Sequence, residues 1–229
     1  MSAITFAIIL LGAQAQASLP PPTFILSQVL KSHESIKTLA LEGRITDLRT
    51  NQVFKEILKI DFESGRVHAS YLSATDEAWG GVETRMRDLH RLGKFWLGVA
   101  IDPNNSRFRQ ALQELNVLPH EKTETRLSRI GTQVNWAWGD DPVIQVQKDE
   151  FLAADYQSGG TGPAGQEIFL KDYVAAAVRV PRNVFLKFQG KDIYHYELKG
   201  VKANQPLKYP NSVIPSAQAP VKEWTMLVR

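Results

Sequence analysis

The sequence predicts an α+β fold in which a strongly curved antiparallel sheet is covered by an N-terminal helix and two short inserted helices. Apolar residues alternate with polar ones along residues 184–188 and again along residues 194–198, on the two sides of a turn that contains Gly190. This is the pattern of an antiparallel hairpin with one buried face. Other segments repeat the alternation, and a sheet of so many strands must curl or split. The few segments with helical spacing supply a cover for one face.

Composition narrows the classes of protein to consider. The chain has 229 residues, of which 43% are hydrophobic and 22% are charged, and this is ordinary for a globular protein. Its net charge is +3, and its Lys and Arg residues are spread out without a basic patch that predicts a nucleic-acid partner. Because there is no cysteine, disulfides, thiolate metal sites and a cysteine nucleophile are excluded.

The first 17 residues have the pattern of a secretory signal peptide. An apolar run over residues 4–11 is followed by Ala15-Gln16-Ala17, which fits a small-x-small cleavage site. The run is too short to span a membrane. No Lys or Arg precedes the run, so a buried N-terminal helix is the alternative. We expect export to the periplasm, with residues 18–229 forming a single domain.

The first part of the mature chain predicts one helix and three strands. Apolar residues recur at helical spacing over residues 23–35, directly after three consecutive prolines. Alternation over residues 38–45, 54–62 and 66–71 predicts three strands joined by short polar turns, which together form a meander.

The spacing of apolar residues then changes from that of strands to that of helices, before strand spacing resumes. Two short amphipathic helices are expected within residues 92–101 and 104–115, and such an inserted pair covers a sheet more readily than it forms a domain. Five further strands are expected before the hairpin, over residues 123–130, 133–139, 143–146, 151–156 and 168–173. The final stretch, residues 206–229, carries several prolines and is predicted to wrap the surface.

Residues that could carry chemistry are better explained by structure. Residues 160–165 match G-x-G-x-x-G, but a strand is predicted after them instead of the helix that a dinucleotide site needs. The acidic pairs Asp140-Asp141 and Asp149-Glu150 fall at predicted turns, where such residues are common for backbone reasons. The five histidines are isolated, and His195 has the parity of a solvent-facing strand position. We therefore predict no catalytic residues, no metal and no cofactor.

The apolar strand positions are the remaining candidates for a site. Their aromatic content has two interpretations: an ordinary filled core, or a face that binds a lipid or another apolar ligand beneath the helices. Strand parity predicts the lining of that face as Leu39, Leu41, Leu58, Ile60, Val134, Trp136, Trp138, Leu186, Tyr194 and Tyr196, with Phe95, Trp96 and Val99 from the inserted helices.

Several short strings, in this order, resemble the periplasmic lipoprotein-carrier (LolA/LolB-like) superfamily. They are Ile36-Lys37-Thr38-Leu39, the strand and acidic turn of residues 143–152, and the segment that follows the hairpin, Val201-Lys202-Ala203-Asn204-Gln205-Pro206-Leu207. Ala153 stands where the family has a proline. The resemblance covers residues 23–214.

The resemblance implies a fold and a function. It implies an incomplete β-barrel around a hydrophobic cavity, no catalytic residues, and lipid or lipoprotein acyl chains as the partner. It also implies that Arg66 latches the helical lid, although the proline that follows this arginine in the family is Val67 here. The alternative function is an envelope protein-interaction or sensor module with a filled core and no ligand.

Overall fold

The computed structural model describes residues 19–31, 35–64, 66–73, 109, 112–113, 115–159, 165–175, 179–208 and 221–227, with the backbone alone for residues 66–73 and 221–227. The expected signal peptide and nearly all of the two expected inserted helices lie outside these ranges.

One α-helix, α1 (Pro22–Lys31), lies within the described residues. It begins at Pro22, whose ring presets the backbone angle of a first helical residue and whose missing N–H costs nothing there. Ile25 and Val29 are buried on one face of the helix. Lys31 lies in the last turn, where a cation interacts favourably with the helix dipole. The prediction of this helix is confirmed, but it starts one residue earlier than expected and ends at Lys31, with Ser35, the expected end, in a turn.

Eleven strands follow in the described ranges. They are β1 (Thr38–Asp47), β2 (Gln52–Asp61), β3 (Arg66–Ser73), β4 (Arg126–Ile130), β5 (Gln133–Trp138), β6 (Val143–Gln147), β7 (Ala153–Ser158), β8 (Gln166–Ala175), β9 (Arg179–Phe188), β10 (Lys191–Ala203) and β11 (Val221–Leu227).

The strands form one antiparallel sheet in the order β11-β3-β2-β1-β10-β9-β8-β7-β6-β5-β4. Consecutive strands pair as hairpins from β1 to β3 and from β4 to β10. β1 also pairs with β10 and so joins the N-terminal meander to the later strands. Among the described strands the sheet is not closed, since β4 and β11 lie at opposite ends of the order. The predicted antiparallel sheet is therefore confirmed.

The hydrophobic core lies on one face of this sheet. Leu39, Leu41 and Ile45 alternate with half-buried or exposed residues along β1. They belong to the same buried cluster as Ile25 and Val29 of α1. The period-2 pattern of the strands and the helical stripe of α1 are thus buried against each other.

The C-terminal stretch corrects the sequence prediction. Residues 221–227 were expected to be part of an irregular surface segment, but they form β11, which pairs antiparallel with β3. The physical reason is visible in the sequence. All prolines of this region lie at or before Pro220, so they break the chain ahead of the strand and leave every ladder N–H of residues 221–227 in place.

Candidate ligand-binding face

The apolar face of the sheet gathers most of the predicted lining residues. Those that are buried together in its core cluster are Leu39, Leu41, Leu58, Ile60, Trp136, Trp138, Leu186, Tyr194 and Tyr196. Val134 is only half-buried, and Phe95, Trp96 and Val99 lie outside the described residues. The backbone of Arg66 opens β3, opposite Asp61 of β2, while the latch role of its side chain stays a prediction.

Strand register explains how distant segments meet on this face. Leu39 lies directly opposite Ile60, and Leu41 opposite Leu58, across the β1–β2 pair. Leu186 lies opposite Tyr194 across the β9–β10 pair. Directly opposed residues project to the same side of a sheet, so the alternation in each strand adds to a single apolar surface.

Helix α1 and the segment before β4 contact this face. The ring of Phe24 meets that of Phe151 edge to face, with centroids 6.3 Å apart and planes at 81°. Leu112 and Val117 join the core cluster. The backbone oxygen of Leu115 accepts a hydrogen bond from the hydroxyl of Tyr156 at 3.4 Å. These contacts fix part of the cover that the sequence predicts.

Two indoles on β5 have different hydrogen bonding. Trp138 is fully buried, and its Nε1 donates to the backbone oxygen of Val117 at 3.0 Å. Trp136 is 8% exposed, yet its buried Nε1 has no hydrogen-bond partner among the described residues. An indole N–H can only donate, so Trp136 needs an acceptor that this part of the chain does not supply.

Trp136 lies near an end of the sheet where apolar surface reaches solvent. Its neighbour across the β4–β5 pair is Leu127, which is 51% exposed. Lys148 places its ammonium 5.7 Å from the centre of the Trp136 ring. The Lys148 backbone N–H donates to the oxygen of Val134 at 3.0 Å, which ties this turn to β5. An apolar surface, a free donor and a cation therefore meet here.

An ion pair lies on the same face where β1 ends beside β10. Asp47 is fully buried and accepts two hydrogen bonds from the half-exposed side chain of Arg49, at 3.1 Å from Nε and 3.0 Å from Nη2. Nη2 also donates to the hydroxyl of Tyr194 at 2.7 Å. The bond to the Asp47 carboxylate is the main cause that raises the pKa of Arg49. This arrangement fixes the β1–β2 turn against β10.

A buried polar network that the sequence analysis missed lies on the opposite face of β5, β6 and β7. Asn135 donates to Gln145 at 3.4 Å, and Gln145 donates to Asp155 Oδ2 at 3.0 Å. Gln157 also donates to Oδ2, at 2.7 Å, while Oδ1 has no partner among the described residues. Asp155 is fully buried, and this desolvation, reinforced by the nearby Glu167 carboxylate, raises its pKa to about 7.

The other residues that the sequence singled out have structural surroundings. His195 is half-buried, and this burial lowers the pKa of its imidazole. Its ring stacks on that of Phe185, with centroids 4.4 Å apart, and its Nε2 lies 2.8 Å from Asn183 Oδ1. Asp141 accepts the backbone N–H of Gly159 at 2.7 Å, and Glu150 pairs with an arginine of β9. The predicted parity of His195 is confirmed by its register, although it is less exposed than expected.

The glycine-rich loop also lies between strands. Residues 160–164 fall outside the described ranges, but β7 and β8 on its two sides pair antiparallel. A βαβ unit around the loop is thereby excluded. In the described part of the chain, no group of His, Asp and Glu has the arrangement of a metal site, and no helix is long and apolar enough to cross a membrane.

Comparisons with known proteins give likenesses of structure only. No family model and no curated protein sequence matches the chain. One similar solved structure is an outer membrane lipoprotein-sorting protein domain from Vibrio parahaemolyticus, with 8% identity and a TM-score of 0.48 over 81% of this chain and 93% of that chain.

Two further structures are similar to parts of the chain. A DUF1329 family protein from Desulfovibrio piger has 8% identity and a TM-score of 0.44 over 83% of this chain and 96% of that one. MucB has 10% identity and a TM-score of 0.34 over 81% of this chain and 60% of its own. All three likenesses are at 8–10% identity and concern the fold alone.

Proposed function

We propose that this protein binds the acyl chain of a lipid or lipoprotein on the apolar face of its sheet and carries it through the periplasm. One observation supports this most: the apolar face extends from β2 through β1, β10, β9, β8, β7 and β6 to β5, and reaches the solvent beside the exposed Leu127. A lipid chain could enter there, between the sheet and its helical cover. Burial of each methylene group favours the bound state by about 0.8 kcal/mol.

The helical cover would have to move for a ligand to enter. We propose that the inserted helices carrying Phe95, Trp96 and Val99 act as the lid, with Arg66 as its latch. Helix α1 packs on the same core through Ile25 and Val29, so the lid and α1 would together form the roof. The side chains beneath them would separate from one another as the acyl chain takes their place.

The test is titration of the purified protein with a fluorescent fatty acid, with two matched variants. Val134→Arg places a charge on the apolar face at a half-buried position, and Ile57→Arg places the same charge on the opposite face at another half-buried position. We expect Val134→Arg to weaken uptake at least about tenfold and Ile57→Arg to leave it within about twofold, with both proteins folded by circular dichroism.

Two results would contradict this proposal. One is equal weakening of uptake by both variants, and the other is no uptake by the unmodified protein. In the second case the envelope protein-interaction or sensor module becomes the working hypothesis. The exposed large apolar side chains of the described residues, on which such a module could dock a partner, are Leu19, Phe24, Leu48, Val53 and Leu127.

A further inference from the structure

We propose that Trp136 Nε1 and Lys148 Nζ form a head-group subsite, and that the ligand is an acyl chain ending in an anionic oxygen acceptor, a carboxylate or a phosphate. This inference rests on the proposed function, because the subsite lies on the same apolar face. Beyond the proposed function, it specifies the chemical class of lipid that the face selects and the end of the sheet at which the head group lies.

The unpaired indole is the first argument. Trp136 and Trp138 lie on the same strand and the same face, and among the described residues only Trp138 has an acceptor, the oxygen of Val117. A buried donor without a partner destabilises a protein, so each such group in a native fold calls for an explanation. An acceptor brought by a ligand would satisfy Trp136 in the bound state.

The charge beside the indole is the second argument. Lys148 Nζ is 5.7 Å from the centre of the Trp136 ring, so a group that reaches Nε1 also lies within range of this ammonium. Glu150, two residues further along the turn, is occupied by its ion pair with Arg179. The pairing of one N–H donor with one cation suits a carboxylate or phosphate oxygen and disfavours a cationic head group.

The position at the edge of the apolar surface is the third argument. Leu127, directly opposite Trp136, is half-exposed, whereas Val146 on the other side of Trp136 is fully buried. A chain lying along this gradient would keep its methyl end in the core and its polar end near solvent. The head group would then lie beside Trp136 and Lys148.

The experiment uses three ligands with the same chain, each below its micelle concentration: dodecanoate, dodecyl phosphate and dodecyltrimethylammonium. With ¹⁵N-tryptophan protein, the indole N–H resonance of Trp136 is identified by its loss in Trp136→Phe. We expect dodecanoate and dodecyl phosphate to bind at least about tenfold more tightly than the cation and to move this resonance downfield. Acetate and inorganic phosphate, which lack the chain, should leave it in place.

Variants separate the two groups of the subsite. Trp136→Phe keeps an aromatic side chain but removes the N–H donor, and Lys148→Met removes the charge. Each substitution should lower the preference for dodecanoate over the cation about five- to tenfold. Lys202→Met, on the opposite sheet face, is the control and should not change the preference. If Trp136→Phe fails to fold, triple-resonance spectra of the wild type assign the indole N–H resonance instead, and its shift still gives the readout.

The possible failures are distinguishable. If none of the three dodecyl ligands binds, both the proposed function and the subsite are wrong. If dodecanoate and the cation bind equally and the Trp136 resonance does not move, the subsite is wrong while the apolar face still binds chains. If acetate or inorganic phosphate moves the resonance as far as the dodecyl anions do, the site binds free anions and the lipid head-group assignment is wrong.

Discussion

Asp155→Asn is expected to remove a large pH dependence from the stability of the fold. The carboxyl group is fully buried, and Gln145 and Gln157 both donate to Oδ2. Asparagine has nearly the same shape, and its side-chain oxygen can accept both hydrogen bonds. Its NH₂ group would take the place of Oδ1, which has no partner among the described residues. The substitution therefore removes the titration with little change in packing.

The magnitude follows from the shift in pKa. Burial raises the pKa of Asp155 from 3.8 to about 7. Between these values the folded state keeps a proton that the unfolded state loses, so the free energy of unfolding falls as the pH rises. At about 1.4 kcal/mol for each pH unit, the loss is roughly 4 kcal/mol in total, and it levels off above about pH 7.

Urea unfolding of both proteins from pH 4 to 8.5 measures this directly. All other ionisable groups are the same in both proteins, so the difference between their free energies of unfolding isolates Asp155. We expect the free energy of unfolding of Asp155→Asn, measured relative to the wild type, to rise by several kcal/mol between pH 4 and 7. A difference that stays constant within about 0.5 kcal/mol, or that changes in the opposite direction, would refute the reasoning.

Three further substitutions test other contacts by urea unfolding. In Gly43→Ala, the added Cβ would overlap the Tyr196 ring, so we expect the free energy of unfolding to fall by about 1–3 kcal/mol. The same fall in a Tyr196→Ala background would contradict this cause. Arg49→Lys cannot donate the paired hydrogen bonds to the buried Asp47 and should lose about 1–3 kcal/mol, whereas an unchanged midpoint would show that the pair contributes little. Trp138→Phe leaves a buried carbonyl without its donor and should lose about 1–3 kcal/mol, and a neutral result would argue against that bond.

All described strands except β11 could be predicted, as could the buried side of strands such as β1, because both depend on local alternation. Leu39 and Leu41, for example, are separated by one residue in β1 and project to the same side whatever strand lies beside them. The pairing of β1 with β10 could not be predicted in the same way. It depends on which distant segments meet, and short-range periodicity does not determine this.

The Asp155 network shows a different limit. Aspartate, asparagine and glutamine in a strand indicate the solvent side, and Asp155 does lie on the side opposite the apolar core. Its burial arises only after β5, β6 and β7 bring Asn135, Gln145 and Gln157 together. One signal was available in the sequence: polar amides recur at alternate positions of two apolar strands, at Asn135 and at Gln145 and Gln147.

Native mass spectrometry of the protein purified from its host, followed by solvent extraction, tests most directly whether the apolar face holds an acyl chain. We expect a co-purifying mass of lipid size that the extraction releases and identifies as an acyl compound with an anionic head group. A protein that is empty on purification and stays empty after incubation with dodecanoate would contradict the account.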